Sequence, residues 1–389
     1  MAEMAVQTAM EANAHNTRLR FVDAFSMFVS ASGMVQMYLA CMEDVFRNPE
    51  VLALKGRMKQ GNRVVITAHR SPDGDAIGSS LAMKHLLAHL DVDAQVIMPD
   101  AYAKFLQWLP GHDEVWFHER SPEACEQAMR EAHVVFCLDY NAPIRAGRLG
   151  PAVEAASQRD TCFVAVLDHH QQPEDFADLL VSDPSTASTS ELVYRLMKAW
   201  EMSDVLDDQM AACLYCGLIT DTGSFRFPSV QPSTHEMASN LLKTGMDHSR
   251  VHSLIYDACR LDQIQLTAYA LSQKLQVFPE HRSAIVSLSQ EELRRYNAQK
   301  GDTEGLVNRA LSIEGINFAA FIKEDVDLVK LSLRSRGAFS VRDVADAHFH
   351  GGGHHNAAGG ACADESLEEV VDRLVGLLPS FSSALQYED

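Results

Sequence analysis

Between Val64 and Leu90 an apolar run, a polar turn and a helical repeat follow one another directly, an order that confines the chain to a strand feeding a helix around a tight corner. Val64, Val65 and Ile66 make the run, and Thr67 to Gly74 make the turn, where Pro72 and Gly74 resist both strand and helix. Met83, Leu86, Leu87 and Leu90 then repeat at i, i+3, i+4 and i+7, the spacing of a helix laid on a sheet. Asp75 is expected at about the N-cap, where the helix dipole favours an anion such as phosphate. Three side chains able to bind a metal, His69, Asp73 and Asp75, fall within this corner. Alone, such a cluster reads as a capped turn; what gives it meaning is its recurrence downstream.

Ala94–Met98 reads as a second strand, Val134–Leu138 as a third ending at Asp139, and Phe163–Leu167 as a fourth ending at Asp168, His169 and His170. Short apolar runs separated by helical stretches predict an α/β fold, a parallel sheet with helices on both faces. Ligands of such sheets bind beyond the carboxyl ends of the strands, where each of these clusters falls. Ser188 with Glu191 and Ser233 with Glu236 each match a capping box. A helix over about 208–219 empties into Thr220, Asp221, Thr222 and Gly223.

The pattern over 261–277 is helical and polar, as in a connector, and leads into a smaller α/β unit with strands expected at 284–288, 316–322 and 328–333. The expected organisation is an extension of uncertain structure over 1–58, a catalytic domain over 59–260, a helical linker over 261–278 and a smaller domain over 279–382. The smaller domain carries Arg334, Ser335 and Arg336 and then a glycine-rich run from Gly351 to Gly359.

The net charge of −20 repels long nucleic acid, so an anionic substrate is expected to be small and held by local charge. Eight cysteines without a paired framework suit a reducing compartment, and Cys213 and Cys216, set in an apolar helical pattern, read as buried small residues. Residues 21–42 resemble a membrane or signal segment, but Asp23 interrupts them and Glu3 and Glu11 spoil a basic leader. An amphipathic helix or an extension is expected there, with no membrane association and a cytoplasmic location.

Collected, the candidate ligands are His69, Asp73, Asp75, Asp139, His169 and Asp221, four carboxylates and two imidazoles at the ends of elements on one side of one sheet. Hard oxygens mixed with imidazole suit Mn²⁺, with Mg²⁺, Co²⁺ or Fe²⁺ as alternatives, and the lack of thiolates argues against structural zinc. Six ligands exceed what one ion with an open position needs but fit two ions sharing a carboxylate. Such a pair activates water and clamps phosphoryl oxygens, which points to phosphoester hydrolysis.

TAHRSPDGDAIGSS, CLDYN, LDHH, ITDTGSF and GGGHHNAAGG, in that order, resemble the DHH phosphoesterase superfamily with its DHHA1 partner domain, over roughly residues 60–380. The GGGH ending is similar to the bifunctional group that cuts very short single-stranded RNAs to mononucleotides and removes the 3′-phosphate from pAp. The resemblance implies one metal on His69, Asp73 and Asp139, and another on Asp75, Asp139, His169 and Asp221, with Asp139 bridging. It also implies an active site in the cleft between the two domains, and a homodimer. Asp168 would orient an imidazole, and His170 would face the phosphate as a donor. Arg334 and His354 would hold substrate phosphate, with Gly352 and Gly353 letting the backbone approach it. Arg336 shares a strand face with Arg334 or lies at the surface; Arg226 and Arg145 stay equally open between substrate and structural roles. Rival readings are a pApA or cyclic-dinucleotide phosphodiesterase, a pyrophosphatase-like hydrolase, and a silent nucleotide-binding module.

Overall fold

The structure is a computed structural model that describes residues 45–386. The helix or extension expected over 21–42 lies outside the described residues. Two compact units form, one from the described residues up to Tyr102 with Leu106–His252, the other from Ala103–Phe105 with the chain from Ser253 onward.

The first unit runs α1 (Pro49–Leu54), β1 (Val64–Thr67), α2 (Gly74–Ala88), β2 (Ala94–Met98), β3 (Trp116–Phe117), α3 (Pro122–Glu131), β4 (Val134–Leu138), α4 (Gly150–Ser157), β5 (Phe163–Asp168), β6 (Leu179–Ser182), α5 (Thr189–Ala199), α6 (Asp208–Asp221), α7 (Pro232–Leu242) and α8 (His248–Tyr256), the division falling within α8. Its strands form one sheet in the order β3-β2-β1-β4-β5-β6, every pair parallel. Because β2 and β4 leave β1 in opposite directions, the crevice beyond β1 and β4 is the switch point at which open parallel sheets take ligands. The short edge strands β3 and β6 were not anticipated from the sequence.

Alternation sorts the strand residues. Val65, Ile97, Val135, Cys137, Val164 and Val166 pack with Cys125 and Met129 of α3 and Val153 and Ala156 of α4. Ile66, Val96 and Phe136 are fully buried on the opposite face, where α2 adjoins β1 and β2. Each such side chain contributes about 1.5–3 kcal/mol on burial.

Helix α2 does more than lay one face on the sheet, since Ile77, Leu81, Ala82, Met83, Leu86 and Leu87 are all fully buried. Its other side is covered by α6, and the approach is closest at Gly78, where a Cβ would meet the Cys213 carbonyl oxygen at 2.5 Å. Cys213 and Cys216 are fully buried within α6, as their apolar setting predicts.

The second unit runs α9 (Leu261–Tyr269), β7 (Leu275–Phe278), β8 (Ser283–Leu288), α10 (Gln290–Arg295), α11 (Leu306–Leu311), β9 (Phe318–Glu324), β10 (Leu328–Ser335), α12 (Val341–Phe349), β11 (Gly352–His354), β12 (Ala357–Ala363) and α13 (Leu367–Leu385). These strands form a mixed sheet, β11-β12-β10-β9-β8-β7, antiparallel except between β8 and β9. One face packs Phe318, Ile322, Leu331 and Leu333 against α12 and α13; the other packs Val286, Ala319 and Phe321 against α9 and α11.

Several local expectations are corrected. Asp73, not Asp75, caps α2, its carboxylate accepting from the N–H groups of Asp75 (3.1 Å) and Ala76 (3.0 Å). Ser188 caps α5, but Glu191 turns away from its half of the box and accepts from Ser233 Oγ and Thr234 Oγ1. That leaves Gln231, paired with Thr234, to open α7 instead of Ser233 with Glu236. The polar connector turns into strand β7 at Leu275 because β8 offers it an antiparallel partner. The glycine-rich run, for which no element was read from the sequence, is a hairpin: a Cβ on Gly351 would stand 2.0 Å from the Gly359 carbonyl oxygen, so only bare backbone allows β11 to lie on β12.

Candidate metal centre

Four segments of the first unit converge beyond β1, β4 and β5. The corner after β1 brings His69, the N-cap of α2 brings Asp73, and its first turn brings Asp75. Asp139 follows β4 with φ +64°, a left-handed conformation costing a non-glycine residue roughly 1–2 kcal/mol. His169 follows β5, and Asp221 is the last residue of α6, where the helix dipole disfavours a carboxylate. Strain at Asp139 and an anion at the wrong end of a helix are features that folding alone would not select.

The six side chains form two groups joined at Asp139. Asp139 Oδ2 is 3.2 Å from His69 Nε2, with Asp73 Oδ1 3.8 Å from that nitrogen. Asp139 Oδ1 is 3.5 Å from His169 Nε2, which also lies 3.1 Å from Asp221 Oδ2 and 4.0 Å from Asp75 Oδ2. Potential ligand atoms of His69, Asp73 and Asp139 lie within 4.8 Å of one another, as do those of Asp75, His169 and Asp221.

Both imidazoles are turned the same way. His69 Nδ1 meets the Arg70 carbonyl at 2.8 Å and His169 Nδ1 the Thr186 carbonyl at 3.2 Å. A carbonyl only accepts, so each Nδ1 carries hydrogen and each Nε2 is the nitrogen turned into carboxylate-lined space, the one that becomes a metal ligand once it gives up its proton.

Burial and mutual charge set the proton affinities of the cluster. Burial alone would lower the pKa of His69, but Asp139 and Asp73 carry it well above the ordinary histidine value. Burial likewise opposes charge on His169, and Asp221 and Asp139 override it. Burial pushes the Asp75 carboxyl well up, with Asp139 and Asp221 adding repulsion, whereas at Asp139 the hydrogen bonds of His169 and His69 overcome burial and hold it well below. Carboxylates crowded around two imidazole Nε2 atoms are a donor set that divalent cations fit once those protons leave.

Supporting contacts hold these ligands. Asp75 accepts from Thr189 N at 2.6 Å and Ser190 N at 2.9 Å, and Thr189 Oγ1 donates to Asp139 Oδ1 at 3.0 Å. A Cβ on Gly217 of α6 would stand 2.5 Å from Asp75 Oδ1, so that helix must be bare there. Asn141 donates to the carbonyls of His170 (3.0 Å) and Gln171 (3.2 Å), which fixes the loop after β5. The roles of Thr189, Ser190 and Gly217 were not read from the sequence, although Ser188 as a cap marks where the first pair sits.

Asp168, fully buried, braces His170: Oδ1 lies 2.7 Å from its Nδ1 and Oδ2 accepts its N–H at 3.0 Å. On the other side Arg145 approaches His170 Nε2 at 2.9 Å. A guanidinium only donates, so Nε2 accepts from Arg145 here and does not carry the hydrogen for a phosphate that the sequence reading gave it. Arg226 folds back onto its own turn, Nε donating to the Gly223 carbonyl at 2.7 Å.

The residues expected to hold substrate belong to the second unit. Arg334, Ala357 and His354 stand in register across β10, β12 and β11, so their side chains share a face with only a methyl group between. Two strand spacings separate Arg334 from His354, roughly 10 Å. Gly352 faces Gly359 two pairs along on the same face, leaving that part of the floor free of side chains, and Gly353, in the pair between, takes φ +142°. Arg336 does not continue that face, because β10 ends at Ser335; its guanidinium donates to the Leu311 carbonyl at the end of α11 at 3.0 Å.

Two family models match the chain: the DHH family, N-terminal domain, over residues 63–218, and the DHHA1 domain over residues 283–378. The bifunctional oligoribonuclease and PAP phosphatase NrnA of Thermus thermophilus is 28% identical over 80% of this chain and 88% of its own. The cyclic-di-AMP phosphodiesterase GdpP of Bacillus subtilis is 25% identical over 83% of this chain and 48% of its own. The crystal structure of an exopolyphosphatase-related protein from Bacteroides fragilis superposes with a TM-score of 0.81 at 35% identity, covering 87% of this chain and 97% of that one. The chain thus belongs to the DHH family, its DHH N-terminal domain followed by a DHHA1 domain.

Proposed function

We propose that the protein is a metal-dependent phosphoesterase that hydrolyses short RNA oligonucleotides to mononucleotides and pAp to AMP. The observation that carries this reading is the position of Asp139, one oxygen turned to His69 and the other to His169, with the Nε2 atom of both imidazoles facing carboxylates. One divalent ion would be held by His69, Asp73 and Asp139, the other by Asp75, Asp139, His169 and Asp221, and the mixed oxygen and imidazole set favours Mn²⁺. When bound, the ions supply Lewis acidity toward phosphoryl oxygens and lower the pKa of water.

The chain's own residues do the rest. Asp168 orients His170, and Arg145 beside it adds positive charge at the edge of the cluster. On the second unit Arg334 and His354 grip phosphate, the guanidinium through two oxygens, over the bare floor of Gly352 and Gly353. Arg336, engaged with α11, is assigned to structure. The acidic surface restricts substrates to short anions that local cationic groups can hold.

A second reading, phosphodiester cleavage of pApA or a cyclic dinucleotide, draws on the match to the cyclic-di-AMP phosphodiesterase GdpP, about half of whose length this chain spans. Assaying the protein with Mn²⁺ on pAp, pApA, a 5-mer RNA and pyrophosphate side by side separates the readings. Turnover of the 5-mer and of pAp is expected; activity on pyrophosphate alone, or on none of the four, overturns the proposal.

A further inference from the structure

Thr189 touches both halves of the candidate centre without being a ligand of either. It is fully buried, its backbone N–H donates to Asp75 Oδ2 at 2.6 Å, and its hydroxyl donates to Asp139 Oδ1 at 3.0 Å. Those two oxygens are the ones that approach His169 Nε2, at 4.0 Å and 3.5 Å. The opposite oxygen of Asp139, Oδ2, is left to His69 at 3.2 Å.

A carboxylate free to rotate about its Cβ–Cγ bond can present both oxygens to one cation. A hydroxyl donor on Oδ1 stops that rotation and keeps the oxygens divided between the two groups. The donor is itself fixed, because Ser188 caps α5 immediately before it and the Thr189 N–H is committed to Asp75.

We propose that Thr189 is a positioning residue that sets occupancy of the second metal position, the one formed by Asp75, His169 and Asp221 with Asp139 shared. The proposal rests on the two-ion reading above. Losing a hydrogen bond to a ligating carboxylate typically weakens metal affinity 10–100-fold. Here the loss falls on one position, because the Asp139 oxygen facing His69 and Asp73 is not the one Thr189 holds.

The test is Mn²⁺ binding by the full chain, followed by the disappearance of the free-ion EPR signal and by the exchange-coupled spectrum that only a close pair of Mn²⁺ ions gives. Thr189→Val keeps the size and the backbone N–H but removes the hydroxyl; Thr189→Ser restores the hydroxyl. The expected result is two ions per wild-type chain with a coupled spectrum, and one tight ion in Thr189→Val with the second weakened about 10–100-fold and the coupling lost. Thr189→Ser is expected to regain the second ion and the coupling, with melting in chelator alike in all three proteins. Retention of both ions and the coupling by Thr189→Val overturns the proposal, as does loss of both ions in both variants. Failure of the wild-type chain to take up a second ion removes the two-ion reading itself, and this proposal with it.

Discussion

Gly217 faces Asp75 with room for hydrogen only: a Cβ there would lie 2.5 Å from Asp75 Oδ1 and 2.0 Å from Ser190 Oγ. Neither neighbour can retreat, since Asp75 is gripped by two backbone N–H groups and Ser190 is fully buried. Gly217→Ala is therefore expected to cost about 1–3 kcal/mol of stability by overpacking. It should also weaken divalent-ion uptake, because the strain falls on Asp75 and on Ser190, whose N–H holds it. Denaturant midpoints and Mn²⁺ titration of the same variant check the two effects together.

Asp139→Ala is expected to abolish turnover on every substrate, by on the order of 10³-fold or more, since the shared carboxylate organises both groups and the charge they can gather for a transition state. Steady-state assays on pAp and a 5-mer RNA check it; substantial activity in the variant would refute the sharing.

His354→Ala and Arg334→Ala are expected to raise KM with metal content unchanged. Each removes a charge-assisted contact worth about 1.5–3 kcal/mol, or roughly 10–100-fold in affinity. Metal analysis beside the kinetics decides the matter, because loss of bound metal would mean the second unit has been misread.

In chelator, the melting temperature is expected to fall as pH rises from roughly 6 to 9. The His69 and His169 pKa values are raised by their carboxylate partners, so the stability they lend is complete below the unfolded histidine value and lost as pH climbs through the folded one. Added Mn²⁺ should reverse the trend, its stabilisation growing as the imidazoles deprotonate, to about 2.7 kcal/mol at a hundred times its dissociation constant. Thermal melts with and without the ion across this range check it.

In a Cys41→Ser background, one thiol should react rapidly with Ellman's reagent. Cys259 is exposed, whereas Cys125, Cys137, Cys162, Cys213, Cys216 and Cys362 are buried. Burial also pushes the Cys125 thiol up to about 11 and the Cys137 thiol up to about 12, leaving little thiolate to react. Two or more fast thiols would contradict the packing around the sheet.

The sequence carried the parallel sheet because buried β-branched runs such as Val134–Leu138 have few alternatives, and it carried the position of His69, Asp139 and His169 because strand ends in such sheets point one way. Two-residue β3 has no periodicity to read, and β7 exists only because β8 lies beside it. Nor could spacing distinguish Glu191 as a capping-box partner from Glu191 as an acceptor for Ser233 and Thr234, a choice made by packing between α5 and α7. The grip of Thr189 on Asp75 and Asp139 spans 114 and 50 residues, beyond any local pattern.

Asp221 closes α6, 152 positions after His69 (221 less 69), so the cluster takes members from both ends of the first unit. A nascent chain halted before α6 would possess the sheet and yet lack the last carboxylate. Only the group that includes Asp221 would then await synthesis through that helix, whereas His69, Asp73 and Asp139 would already stand together in the shorter chain.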